Sequence, residues 1–188
     1  MADISDIRKG LTIEYEGGIY TILDFQHVKQ AMTHGFMWVK MKNLETGAVL
    51  ERNFKPGAKI DIVKVDEKPG QFLYHDGDSY TFMELDNYEQ ITLPEKKIEE
   101  EIRFLKEGME VSILFAEEKI IGIKLPNFVV LEVKNTDPGI RGDTAQGGTK
   151  PAELETGTVI QVPLFVQIGD KVRVDTRTGE YIERVKEK

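Results

Sequence analysis

A chain of 188 residues with no cysteine, 40% hydrophobic and 31% charged, has the composition of an ordinary globular protein and no means of forming a disulfide or a thiolate metal site. Its longest apolar runs, such as residues 127–133, are too short to cross a bilayer, and its first ten residues hold no signal-peptide core, so a cytoplasmic protein without a membrane partner is expected. The net charge of −8 argues against nucleic acid until it is divided: residues 65–127 carry 7 Lys+Arg against 15 Asp+Glu, residues 1–64 carry 9 against 8, and residues 128–188 carry 9 against 10. The outer thirds can approach a phosphate backbone, while the middle third reads as a solvated face turned away from RNA.

The first third alternates strand and turn. Leu11, Ile13 and Tyr15 precede a Gly17-Gly18 turn, and Ile19, Ile22 and Phe25 follow it, which is a hairpin pattern. Phe36, Trp38, Met41 and Leu44 then alternate with Lys40 and Lys42, so the two aromatics are expected in the core and the lysines in water. Lys29, Lys40 and Lys42 beside aromatics are the mixture that holds RNA. Between these runs, Gln30 to Gly35 is small and polar around Met32, and reads as an exposed hairpin tip. Five or so short strands in this block suggest a small β-barrel.

The second block begins near Val65 with a hairpin turning at Asp76-Gly77. One helix is predicted over residues 92–108, with Ile98, Ile102 and Leu105 on one face, Thr92 and Glu95 as a capping box, and Gly108 as the stop. Another hairpin follows, and Pro126-Asn127 closes the block. The third block holds a strand, a Gly-rich loop over 137–157 and two further strand runs. Residues 107–125 and 168–185 share one design: a glycine, alternating Val and Ile, a charged turn, and a second alternating strand. The repeat points to two related barrels.

Catalytic patterns are missing. His27, His34 and His75 are scattered, and His27 and His34, which could face each other across the loop, make a poor zinc site without a third ligand. No serine sits on a nucleophile elbow, and the Gly-rich stretch leads into a strand and not a phosphate-binding helix. No enzyme, metal or cofactor is expected. Small barrels without a catalytic constellation bind ligands, commonly nucleic acid.

The opening IRKGLTIEYEGGIYTILDFQHVK, the Gly-rich PGIRGDTAQGGTKPA and the closing GDKVRVDTRTGEYIERV together resemble the bacterial elongation factor P family, from about Ile7 to Arg184. The resemblance implies an all-β protein of three small barrels in an L-shaped, tRNA-like arrangement: an SH3-like KOW domain over 1–64 and oligonucleotide-binding (OB) barrels over 65–127 and 128–188. It implies a protein that binds the ribosome, through rRNA and peptidyl-tRNA, between the peptidyl-tRNA and exit sites, and relieves stalling at consecutive prolines; a monomer is expected. The tip loop, Lys29, Gln30, Ala31, Met32, Thr33, His34 and Gly35, would reach the tRNA acceptor end. Gly142, Asp143 and Thr144 would lie near the small subunit, Gly147 and Gly148 would allow close approach to RNA, and Tyr181 and Arg184 match a Tyr-x-x-Arg pattern that faces RNA.

One segment departs from the family. Its tips usually read Lys-Pro-Gly-Lys-Gly, whereas this chain reads Lys29-Gln30-Ala31-Met32-Thr33. Met32 stands where a lysine or arginine is often enlarged by modification, and a thioether accepts none of those groups and brings neither donor nor charge. The tip then works unmodified, is impaired, or hands its role to Lys29 or His34. The alternative function is a diverged RNA-binding β-barrel protein that no longer assists peptide transfer.

Overall fold

The structure is a computed structural model that describes residues 1–139 and 147–186. Strands dominate, and among the described residues the only helical elements are three short 3-10 segments, Ile4–Asp6, Glu95–Lys97 and Glu101–Phe104. The all-β expectation holds. The chain divides into two compact units, residues 1–68 with 113–122 and residues 69–112 with 123–188.

The first sheet contains β1 (Ala2–Asp3), β2 (Thr12–Tyr15), β3 (Gly18–Gln30), β4 (Thr33–Asn43), β5 (Val49–Phe54) and β6 (Lys59–Ile62), in the order β1-β6-β2-β3-β4-β5. Its core is made by Ile4, Ile7, Ile13, Tyr20, Ile22, Met37, Val39, Met41 and Ile60. A second buried cluster in the same unit joins Ile19 and Val63 to Ala116 and Ile121. The opening turn lies one residue earlier than the Gly17-Gly18 expectation. Tyr15 pairs with Gly18, and Glu16 (φ 48°) and Gly17 (φ 80°) form the connection. Two left-handed residues match the twist of flanking strands, and Gly18 begins the ladder at a point where a Cβ would lie 2.8 Å from the Tyr20 ring.

The second sheet contains β7 (Val65–Asp76), β8 (Ser79–Glu84), β9 (Gln90–Pro94), β10 (Glu110–Ala116) and β11 (Lys119–Lys124), in the order β11-β10-β7-β8-β9. The third contains β12 (Phe128–Thr136), β13 (Thr149–Leu154), β14 (Val159–Pro163), β15 (Lys171–Asp175) and β16 (Glu180–Val185), in the order β14-β13-β12-β15-β16. The two segments that look alike in sequence are β10–β11 and β15–β16, the last two strands of each sheet. In the third sheet the end strands β14 and β16 also approach each other, which curls the sheet toward closure.

Two expectations for the middle block are corrected. The turn after β7 is Gly77-Asp78 and not Asp76-Gly77, because Asp76 pairs with Ser79 and Gly77 supplies the positive φ of 56°. The helix over 92–108 is absent. Thr92 is a strand residue whose hydroxyl lies 3.3 Å from that of Thr81, and the chain beyond it makes only two 3-10 turns. The reason is the pairing of β9 with β8, which runs to Ser79–Pro94 and takes Thr92, the expected cap, and Pro94 into the ladder. The two 3-10 turns beyond it bury Ile98, Phe104 and Leu105.

Candidate nucleic-acid interface

The hairpin of β3 and β4 carries the tip. Its pairs run from Tyr20–Asn43 to Gln30–Thr33, with register shifts between Ile22 and Asp24 and between Val28 and Gln30. Only Ala31 and Met32 connect the strands, and the Thr33 hydroxyl donates to the Gln30 side-chain oxygen at 2.9 Å. Met32 has φ 74° and is fully exposed. Lys29, Gln30, Ala31, Thr33 and His34 are exposed around it. Gly35 is half-buried, and a Cβ on it would lie 2.5 Å from the Val28 carbonyl oxygen. The displaced strand thus brings backbone against Cα at this point, where only glycine fits.

Phe36 and Trp38 do not fill the core as expected, while Met41 does. Met37, Val39 and Met41 are the buried residues, so Phe36, Trp38, Lys40 and Lys42 share the opposite face. A strand has period two, and Met37 and Val39 complete the apolar set that matches the core. Phe36 and Trp38 are therefore half-exposed beside the lysines, not buried away from them. Trp38 sits between Gln26 and Asn53, and its indole N–H donates to the Glu51 carboxylate at 3.2 Å. Lys40 sits between Asp24 and Glu51. A salt bridge to Lys9 at 3.2 Å holds the Asp24 carboxyl below the usual carboxylate range, the Phe25 N–H assists, and Lys40 adds to it. The face is thus aromatic and mixed in charge, a basic stripe interrupted by two acids. His27 pairs with Met37 and has its parity, although it is itself exposed, whereas His34 has the parity of Phe36. The two histidines do not face each other.

In the third sheet, Tyr181 pairs with Val174 and Arg184 with Val172, with a register shift between them. Val172 and Val174 lie on one face, both fully buried. The shift therefore places Tyr181 and Arg184 on the same face, although a three-residue spacing in a regular strand would set them on opposite faces. Burial pushes the Tyr181 hydroxyl up from its ordinary pKa. Arg184 lies 3.5 Å from Asp170 and 5.1 Å above the Phe165 ring, which is itself 55% exposed. Phe165 went unnoticed in the sequence, where Pro163-Leu164-Phe165 reads as ordinary strand. Gly147 has φ 104° with open space around it, and Gly148 is half-buried. Gly142, Asp143 and Thr144 lie outside the described residues.

Comparison with known proteins adds three consecutive family matches: the Elongation factor P (EF-P) KOW-like domain over residues 3–60, the Elongation factor P (EF-P) OB domain over 65–123, and Elongation factor P, C-terminal, over 129–184. Curated proteins called elongation factor P are similar over almost all of the chain. One from Pelotomaculum thermopropionicum is 49% identical over 185 residues, and one from Moorella thermoacetica is 51% identical over 184; each alignment covers 98% of this chain and 100% of the relative. Among solved structures, translation initiation factor 5A from Methanococcus jannaschii matches at 25% identity with a TM-score of 0.50, over 65% of this chain and 92% of that one. No helix among the described residues is long and apolar enough to cross a membrane.

Proposed function

The chain belongs to the elongation factor P family and is a translation elongation factor, and on that premise we propose that it binds rRNA and peptidyl-tRNA between the peptidyl-tRNA and exit sites and promotes peptide bond formation, above all at consecutive prolines. The alternative of an RNA-binding barrel outside the ribosome is not favoured, since about half of the residues match such factors along the full length. In this reading the protein is a cytoplasmic monomer with domains over 1–64, 65–127 and 128–188.

Proline restricts the backbone on both sides of the bond to be made and presents a secondary amine. The factor supplies no reacting group. It holds the peptidyl-tRNA so that the reacting atoms meet, a contribution of orientation and not of acid–base chemistry. The observation that carries this reading is the placement of Met32: fully exposed, at the end of a hairpin paired up to its last two residues. Such a tip can enter a narrow RNA channel as a stiff probe. With a thioether at its end it provides bulk without charge, so relief of proline stalling is weaker than a charged tip provides. Phe36, Trp38, Lys40 and Lys42 extend the contact along β4, and Gly142, Asp143, Thr144, Gly147, Gly148, Tyr181 and Arg184 make a second set of RNA contacts.

A photo-crosslinking residue at position 32 tests the placement. Ribosomes that hold peptidyl-tRNA should give a cross-link to the tRNA 3′ end. Cross-links confined to other RNA, or none on ribosomes that bind the factor, would refute it.

A further inference from the structure

Within the second compact unit a cavity of about 540 Å³ is lined by Phe72, His75, Tyr80, Leu105, Glu107 and Glu155, among others. That volume is within the range of sites that take small groups. One wall is aromatic. His75 and Tyr80 are cross-strand partners with rings stacked at 5.2 Å and 19°, and Phe72 backs Tyr80 at 5.9 Å. The rim is acidic by one charge: Glu107 and Glu155 line it with Lys106, which Glu155 holds at 3.1 Å while also accepting the Glu132 N–H at 3.0 Å. Asp78 and Glu95 stand close enough to Tyr80 to join burial in pushing its hydroxyl pKa up, and the two are joined by a backbone hydrogen bond of 2.8 Å.

An anionic ligand would be repelled by these carboxylates, and a neutral apolar one would strip water from them without replacement. A compact ammonium would satisfy the charge but gain little from the rings. A planar, weakly hydrated cation satisfies both, since it stacks on aromatic faces and offers paired donors to carboxylates. We propose that this cavity receives the guanidinium of an arginine presented by a basic protein segment. Residues 65–127, with 7 Lys+Arg against 15 Asp+Glu, supply the longer-range complement to a run of basic residues. The acidic middle of the chain is then a docking surface for protein, and this reading is independent of what the hairpin tip does.

The test uses the whole chain and two probes of equal charge, acetyl-(Gly-Arg)4-amide and acetyl-(Gly-Lys)4-amide, titrated while the His75 and Tyr80 ring resonances are followed by NMR. The arginine peptide should shift those resonances and bind roughly fivefold more tightly than the lysine peptide. Tyr80→Leu should erase the preference and leave lysine-peptide binding as it was. Glu107→Gln, a change at an exposed position that spares the core, should narrow the preference in a chain whose melting is unaltered. Equal affinity for the two peptides, a preference undiminished in Glu107→Gln, or displacement of the arginine peptide by AMP would each overturn the proposal.

Discussion

The Val28 carbonyl oxygen occupies the space that a side chain on Gly35 would need, 2.5 Å from its Cβ position. Residues 29–34 project beyond this crossing, so the close approach sets how the tip is held. Gly35→Ala must push one strand away, at a cost of about 1–3 kcal/mol. Amide exchange should quicken from Val28 to Phe36 while β12–β16 are unaffected, and melting of the first unit should fall. Unchanged exchange at the tip would show that the crossing is soft.

Met32 is a non-glycine residue at φ 74°. The left-handed region costs an L-residue about 1–2 kcal/mol, against about 0.5–1 kcal/mol for the extra unfolded-state freedom of glycine. Met32→Gly should therefore hold or slightly raise stability, and Met32→Val, branched at Cβ, should lower it by about 1 kcal/mol. Denaturant melts of the three proteins give the order Gly, Met, Val. If Val were the most stable, the backbone at position 32 would not be left-handed in solution.

The face shared by Phe36, Trp38, Lys40 and Lys42 should contact RNA through both rings and charges. Lys40→Ala with Lys42→Ala should lower ribosome affinity and reduce the log–log salt slope by about 1.5, the share of two phosphate contacts. Trp38→Ala should lower affinity without changing the slope, since stacking releases no counterions. A double lysine variant with an unchanged slope would remove these residues from the interface.

Acid should loosen the third sheet at the turn after β15. The Arg177 side chain, with its backbone N–H, holds the Asp175 carboxyl below its ordinary value of 3.8. The folded pKa is the lower one, so the unfolded chain binds more protons between the two values. The stabilisation is therefore present above 3.8 and lost as pH falls through the folded pKa. Asp175→Asn should flatten this acid limb of the stability curve, which pH-dependent melting would detect. An identical limb in the variant would assign the acid sensitivity to other carboxylates.

Most hairpins were legible because their signal is local: alternating residues that close on a glycine or a charged pair. Their turns were misplaced by one residue at Gly17 and Gly77 for the same reason, since which residue of a pair turns depends on the partner strand. Parity in β4 was not legible. Phe36 and Trp38 are more apolar in appearance than Met37 and Met41, and only the register against Ile22 and Leu50 settles which set faces inward. The helix over 92–108 had the periodicity of a helix, but its expected start, Thr92 to Pro94, pairs with β8, a partner the local pattern does not reveal. The bulge that unites Tyr181 with Arg184 leaves no mark in the residues themselves, because it is a property of pairing with β15.

In the proposed function the hairpin tip steers peptidyl-tRNA, and Met32 sets how strongly. The most direct measurement is the rate of successive proline incorporation on a Pro-Pro-Pro template in reconstituted translation. Wild type is compared with no factor, with Met32→Ala, and with a rebuilt tip that combines Gln30→Pro, Ala31→Gly, Met32→Lys and Thr33→Gly. A charge-assisted contact is worth about 1.5–3 kcal/mol, one to two orders of magnitude in rate. Wild type should accelerate the reaction modestly, Met32→Ala less, and the rebuilt tip at least about tenfold more than wild type. Wild-type acceleration that the rebuilt tip fails to exceed would contradict the weakened-tip account, and no acceleration by any of the three would contradict steering altogether.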